Sequence, residues 1–394
     1  MEFKIHFSAR AHSYMDEEVN TVVEAMQMAN PLTQGKYLNG FEEKFSRYTG
    51  TKNAFAVSNA TCGLEMAAQL CQFQPGDEII APLHTYTSSV YPFIKKGAKV
   101  VWADIDLKTR VISSQTIVPK ITPKTRAIVV VHLYGYGADM PEIMSLARKH
   151  NLLVIEDAAQ SLGADVDGTL TGAFGDIGVF SFHSHKNITT LGEGGMVTLA
   201  DDSMAAILPM LRHNGHTPFE NERENYWIPA MGNLELPKLN GEYLWPNNYC
   251  MGEVESALGI KLIDRIDEIN QDKRKRALWF IDALEGFPEL EWHRVDSSRH
   301  NYHLLVAQMS NGRRDEFISK MAFEKGVQCI VQYCPLNRYP LYKSAGLGVA
   351  DCPCADSFFD NMISFPFHIW MKNKQFDYMI SSVKKTLIDL RKSR

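Results

Sequence analysis

Between about residues 50 and 200, short apolar runs alternate with amphipathic stretches, a rhythm that few folds accept. Residues 54–57, 78–81, 100–104, 127–132 and 152–157 read as strands, and 196–199 as one more. Helices are predicted over 64–70 and 140–150. The run Ala127-Ile128-Val129-Val130-Val131-His132 is apolar up to its last residue and bounded by polar turns, as suits a strand covered on both faces. Strand, helix and strand in repetition predict an α/β fold, with a mostly parallel sheet flanked by helices. Such sheets bind ligands beyond the carboxyl ends of their strands, and Asp157 stands at such an end.

The rhythm breaks at 216–246, where Pro218, Pro229, Pro237 and Pro246 fall among aromatic and acidic residues. This stretch is expected to be a long loop over the site. A helix from 252 to about 284 then leads into a second lobe that ends in a helix over 376–390. The expected division is a large domain at 1–260 and a smaller α+β domain at 261–394.

Bulk properties narrow the class. The chain has 394 residues, 45% hydrophobic and 22% charged, as in a soluble globular enzyme. A net charge of -5 argues against nucleic acid as a partner, because phosphate binding needs clustered cations. The basic runs Lys273-Arg274-Lys275-Arg276 and Arg391-Lys392-Ser393-Arg394 fall on helical segments and read as solvated faces. Seven cysteines show no metal spacing and fit reduced thiols. The first residues, Met1-Glu2-Phe3-Lys4-Ile5-His6, lack the apolar core of a secretory signal, and no stretch has the length of a membrane helix. A cytoplasmic protein with no membrane or nucleic-acid partner is expected.

Lys186 lies 29 residues beyond Asp157, in Phe180-Ser181-Phe182-His183-Ser184-His185-Lys186-Asn187-Ile188-Thr189-Thr190, just before the turn Gly192-Glu193-Gly194-Gly195. Alone, a loop lysine is a solvated surface residue. Paired with an acid at a strand end, it is what a Schiff-base cofactor requires. The lysine holds pyridoxal 5'-phosphate covalently, and the carboxylate keeps the pyridine nitrogen protonated. That cofactor also needs a phosphate cup and a stacking surface. Ser58-Asn59-Ala60-Thr61-Cys62-Gly63 offers the cup at a strand-to-helix transition, where unpaired amides and the helix dipole favour an anion. The same residues also read as a plain helix cap. Tyr86 either lies flat on the pyridine ring or belongs to the core, and Asp157 either meets the ring or caps a following helix. Gln160 is placed to reach the ring's phenolic oxygen. Ser181 reads as a phosphate ligand, and His183 as another or as a donor behind it.

At these residues the chain resembles the DegT/DnrJ family of pyridoxal-phosphate sugar aminotransferases, within the aspartate-aminotransferase fold (fold type I). The resemblance begins at Leu32-Thr33-Gln34-Gly35, runs through the cup, Thr85-Tyr86, Glu156 to Gln160, Ser181 to Gly195 and Asn248-Tyr249-Cys250-Met251, and ends near Ser364-Phe365-Pro366. It implies that Lys186 is the Schiff-base lysine and the base of the proton shift. It also makes Asp157 the pyridinium partner, Tyr86 the stacking residue and Gln160 the phenolate contact. Ala60, Thr61 and Ser181 become phosphate contacts, with His183 beside them. Asn248 is implied to reach the phosphate of a neighbouring subunit, hence a homodimer with shared active sites. Gly35 and Tyr333 are assigned to the substrate, a nucleotide-linked keto sugar, with glutamate as the amino donor. Three departures stand out: Cys250 replaces a common arginine, Leu191 lengthens the segment before the Gly-Glu-Gly-Gly turn, and Gln332-Tyr333 replaces a His-Tyr pair.

Competing readings use the same scaffold. A sugar dehydratase needs histidine at the lysine's place, and His185 stands next to it. A ligand-binding regulator would carry an added DNA-binding module, for which the residues before Leu32 are too few and insufficiently basic. A cyclitol or other keto acceptor is compatible with the scaffold as well.

Overall fold

A computed structural model describes residues 2–8, 10, 13–217, 233–310 and 312–392. Its centre is a seven-stranded sheet made of β1 (Asn53–Val57), β2 (Glu78–Pro82), β3 (Lys99–Ala103), β4 (Thr125–Val131), β5 (Leu153–Asp157), β6 (Ile177–Ser181) and β7 (Gly195–Leu199). The spatial order is β1-β7-β6-β5-β4-β2-β3, and only β7 runs against its neighbours. Apolar residues of β2, β4 and β5 are buried on both faces, as the alternation of strands and helices predicts. Strand β6 was not expected from the sequence. Gly178 breaks its apolar run, yet all five residues are buried.

Helices α1 (Asp16–Met28), α2 (Lys36–Thr49), α3 (Ala60–Leu70), α4 (Met140–His150) and α5 (Asp202–Arg212) cover this sheet and its edges. Helix α3 lies close to it: a Cβ on Gly63 would come 2.9 Å from Val197 and 3.0 Å from Val179.

The helix expected from 252 to about 284 is two helices, α6 (Glu253–Ile263) and α7 (Ile266–Ala283). No glycine or proline marks the break. The amides of Asp264 and Arg265 bond to carbonyls three residues back, which tightens the turn and redirects the chain. Helix α7 joins two cores: Ile266 and Ile269 pack with α2 and α6, whereas Ala277, Phe280 and Ile281 pack with the C-terminal elements. Those elements are an antiparallel sheet of β8 (Leu290–Trp292), β9 (Leu305–Met309) and β10 (Met362–Phe365), with α8 (Arg314–Phe323) and the terminal α9 (Asn373–Lys392).

The basic run on α7 is not a solvated face throughout. Helical spacing places Lys273 on the buried side with Ile269, Asn270 and Ala277, and it is only 2% exposed. Within the loop expected at 216–246, residues 218–232 lie outside the described residues. His216–Thr217 pairs antiparallel with Asn233–Leu234; the Trp245 carbonyl accepts from Gln69 of α3, and the Leu239 carbonyl from Gln72 just past its end.

Candidate active site

A cavity of about 640 Å³ opens at the carboxyl ends of β1, β2, β5 and β6, between the large sheet and the C-terminal elements. It is lined by Ala60, Thr61, Tyr86, Asp157, Gln160, Ser181, His183, Lys186 and Tyr333, nine of the eleven residues singled out in the sequence. Residues 60 to 333 thus converge because each follows a strand of one sheet or faces it from the second lobe.

At one end stands the N-terminus of α3. Asn59 caps it, its Oδ1 accepting the Cys62 amide at 2.9 Å, so Thr61 is free of that task. Thr61 Oγ1 instead donates to Ser88 Oγ at 3.1 Å. Among the described residues the amides of Ala60 and Thr61 meet no protein acceptor. Gly195 makes this close packing possible, since a Cβ there would lie 2.7 Å from the Ala60 nitrogen. The neighbouring Gly194 has φ +158°, and its Cβ would overlap Thr190 Oγ1 at 2.0 Å.

Across the cavity, Asp157 is 5% exposed. Its Oδ2 accepts Ser89 Oγ at 2.6 Å and its Oδ1 the Ala159 amide at 3.0 Å. A turn rather than a helix follows it, which removes the helix-cap alternative. Tyr86 is 53% exposed and so not a core residue; it meets Tyr333 edge-on at 5.6 Å between centroids. Gln160 accepts the Tyr134 amide at 2.7 Å and donates to the Tyr333 hydroxyl at 3.3 Å.

Lys186 is half-buried and borders the cavity. That burial pulls its pKa down to about 8, against the opposing pull of the Asp157 and Glu193 carboxylates. His183 Nδ1 accepts the His185 amide at 3.4 Å, and its Nε2 lies 3.8 Å from Glu193. Burial, His183 and Lys186 together depress the pKa of His185.

Two expected residues lie elsewhere. Gly35 begins α2, and the Glu253 carboxylate takes its amide at 2.8 Å. Asn248 forms an isolated antiparallel bridge with His213, the residue that follows α5. None of residues 233–246 lines the cavity. The cation lost at Cys250 is not replaced by its neighbour Arg212, whose guanidinium is held by Glu42 at 2.5 Å and the Ala56 carbonyl at 2.6 Å.

Ser89, Tyr134 and His303 were not picked out from the sequence. Ser89 lies in the loop beyond β2, a few residues after Tyr86, so its place past a strand end was a usable signal. Tyr134 and His303 carry no spacing signal, because their roles depend on contacts with distant segments.

The donors and acceptors suit pyridoxal phosphate. Unpaired amides at a helix N-terminus would meet an anion, a buried carboxylate would meet a ring cation, and an amine of lowered basicity lines the same cavity. Fold and site define a pyridoxal-phosphate-dependent aminotransferase. The chain belongs to the DegT/DnrJ/EryC1/StrS aminotransferase family, whose profile matches residues 13–384.

Its relatives include the GDP-perosamine synthase of Caulobacter vibrioides, 32% identical, with 94% of this chain and 95% of that protein covered. Another is the UDP-N-acetyl-3-dehydro-alpha-D-glucosamine 3-aminotransferase of Acidithiobacillus ferrooxidans, 29% identical, covering 90% and 89%. Among solved structures, an aminotransferase from Psychrobacter cryohalolentis superposes with a TM-score of 0.88 at 27% identity, covering 98% and 100%. No helix among the described residues is long and apolar enough to cross a membrane.

Proposed function

We propose that this enzyme moves an amino group from glutamate (or glutamine) to a keto carbon of a nucleotide-linked deoxy sugar, in two half-reactions on one site. The observation that carries the reading is the buried Asp157 carboxylate and the half-buried Lys186 amine on one cavity. The nucleotide sugars in the names of both relatives support the acceptor class.

Bound at this site, pyridoxal phosphate supplies an electron sink that acidifies the hydrogen on the carbon bearing the amine. Lys186 Nζ would hold the cofactor; once the donor's amine has displaced it, the freed Lys186 amine would take that proton and return it at the adjacent position, its lowered basicity keeping a fraction neutral near pH 7. Asp157 holds the ring nitrogen in its charged form, and Ser89 orients the carboxylate. The Ala60 and Thr61 amides, with the Thr61 and Ser181 hydroxyls, bind the phosphate; His183 stands beside them. Tyr86 would cover the ring, Gln160 would meet its phenolic oxygen, and Tyr333 would contact the acceptor.

Gly35 and Asn248, outside this cavity, are proposed to serve a second subunit's site, with Asn248 on the phosphate. A homodimer then shares its active sites. The seven free cysteines support a cytoplasmic setting. The division into lobes is proposed at 260/261, with α7 bridging their cores.

A panel of nucleotide keto sugars incubated with glutamate, read by mass spectrometry, tests the activity. An amino sugar is expected from wild type and none from Lys186→Ala. Turnover by that variant, or a deoxygenated product from wild type, would overturn the reading.

A further inference from the structure

Tyr134 is fully buried, 1% exposed, in the turn after β4, and its φ of +62° lies in the left-handed region that non-glycine residues seldom adopt. Its two polar groups serve opposite walls of the cavity. The amide donates to Gln160 Oε1 at 2.7 Å, on the large-sheet side. The hydroxyl donates to the Gln332 carbonyl at 2.5 Å, on the C-terminal side. Gln160 Nε2 donates to the Tyr333 hydroxyl at 3.3 Å, and Tyr333 follows Gln332 directly. The bonds therefore close a ring through Tyr134, Gln160, Tyr333 and the Gln332 carbonyl.

Proton counting fixes the direction of each bond. A carbonyl only accepts, so the single phenolic proton of Tyr134 goes to Gln332. The phenolic oxygen must then accept from His84 Nε2, 2.7 Å away. Burial pushes the His84 pKa down to about 3, so one proton remains on the ring and it sits on Nε2. His84 thus prevents the Tyr134 hydroxyl from turning away.

We propose that Tyr134 is a positioning residue that locks the two cavity walls together and sets where the Tyr333 hydroxyl stands for the acceptor substrate. This rests on the reading above only in taking Gln160 and Tyr333 as parts of the binding site. A buried ring of bonds acts as a unit: once one bond is cut, cutting another costs little more.

A double-mutant cycle of Tyr134→Phe and Tyr333→Phe tests the claim. Each single variant is expected to lower kcat/KM for the keto acceptor about tenfold, mostly through KM. The double variant is expected to lose about the same tenfold and not a hundredfold. The affinity of cofactor-free protein for pyridoxal phosphate, followed by tryptophan fluorescence, should show the same non-additivity. Additive losses, or a Tyr134→Phe enzyme with wild-type constants, would overturn the proposal. Should circular dichroism show Tyr134→Phe unfolded, His84→Leu takes its place in the cycle with the same expectations, and His84→Gln, which keeps a donor at that point, should restore the KM. Borohydride trapping at Lys186 separates the two ideas: trapping intact with additive losses sinks only the ring, whereas no trapping in wild type sinks the assigned function.

Discussion

Burial lowers the basicity of both Lys186, half-buried, and Lys273, fully buried, yet of the two only Lys186 borders the cavity. Lys273 is spent on structure: its Nζ donates to the His303 carbonyl at 2.9 Å and lies 4.9 Å from the centre of the Phe367 ring. Burial alone pulls its pKa down to about 7. In the unfolded chain it keeps its proton up to the ordinary lysine value of about 10.4. Between those values the unfolded state binds more protons, so stability rises with pH by up to about 1.4 kcal/mol per unit; below the folded pKa this contribution is at its lowest. Lys273→Met removes the group. Urea unfolding at pH 7 and pH 9 should then show wild type gaining about 2 kcal/mol on the variant between the two. A difference that stays constant with pH would mean that Lys273 does not titrate in this window.

Among the elements, α2 and α6 are joined by one carboxylate. Glu253, 1% exposed, accepts the amides of Gly35 and Tyr37 at 2.8 Å and of Leu38 at 3.1 Å, which leaves the start of α2 satisfied. Glu253→Gln puts an amide donor against these donors and should cost about 2 kcal/mol in a denaturant titration; a loss within error would show the cap to be dispensable. Gly35 was read in the sequence as a substrate residue, and nothing in its neighbours there reveals a partner 218 positions away. The strands with unbroken apolar runs were legible, and with them the cup and Asp157, which stand at the ends of β1 and β5; Lys186 was marked instead by its polar segment before the Gly192-Glu193-Gly194-Gly195 turn. Strand β6 was not, since Gly178 dilutes its pattern. The break between α6 and α7 escaped because it uses tightened backbone bonds and no breaker residue. The buried side of α7 was hidden in a charge run whose period, read every third or fourth residue, carries Lys273 inward.

At the scale of the whole molecule, the cavity gathers its walls from residues 7 to 367 in one chain, and Asn248 is not among them. A shared-site homodimer makes a sharp prediction. Lys186→Ala and an Asn248→Asp variant are each expected to be inactive. Mixed at equal amounts and allowed to exchange subunits, they should regain about a quarter of wild-type activity, because half the dimers then hold one undamaged site. No recovery, with exchange confirmed by mass spectrometry, would place Asn248 in its own chain's site or in none. The central claim is that the amine at position 186 carries the cofactor opposite the carboxylate at 157. Borohydride reduction of the cofactor-saturated enzyme followed by peptide mapping addresses it most directly. The account predicts one phosphopyridoxyl group on the peptide containing Lys186; a label on any other lysine, or none, would contradict it.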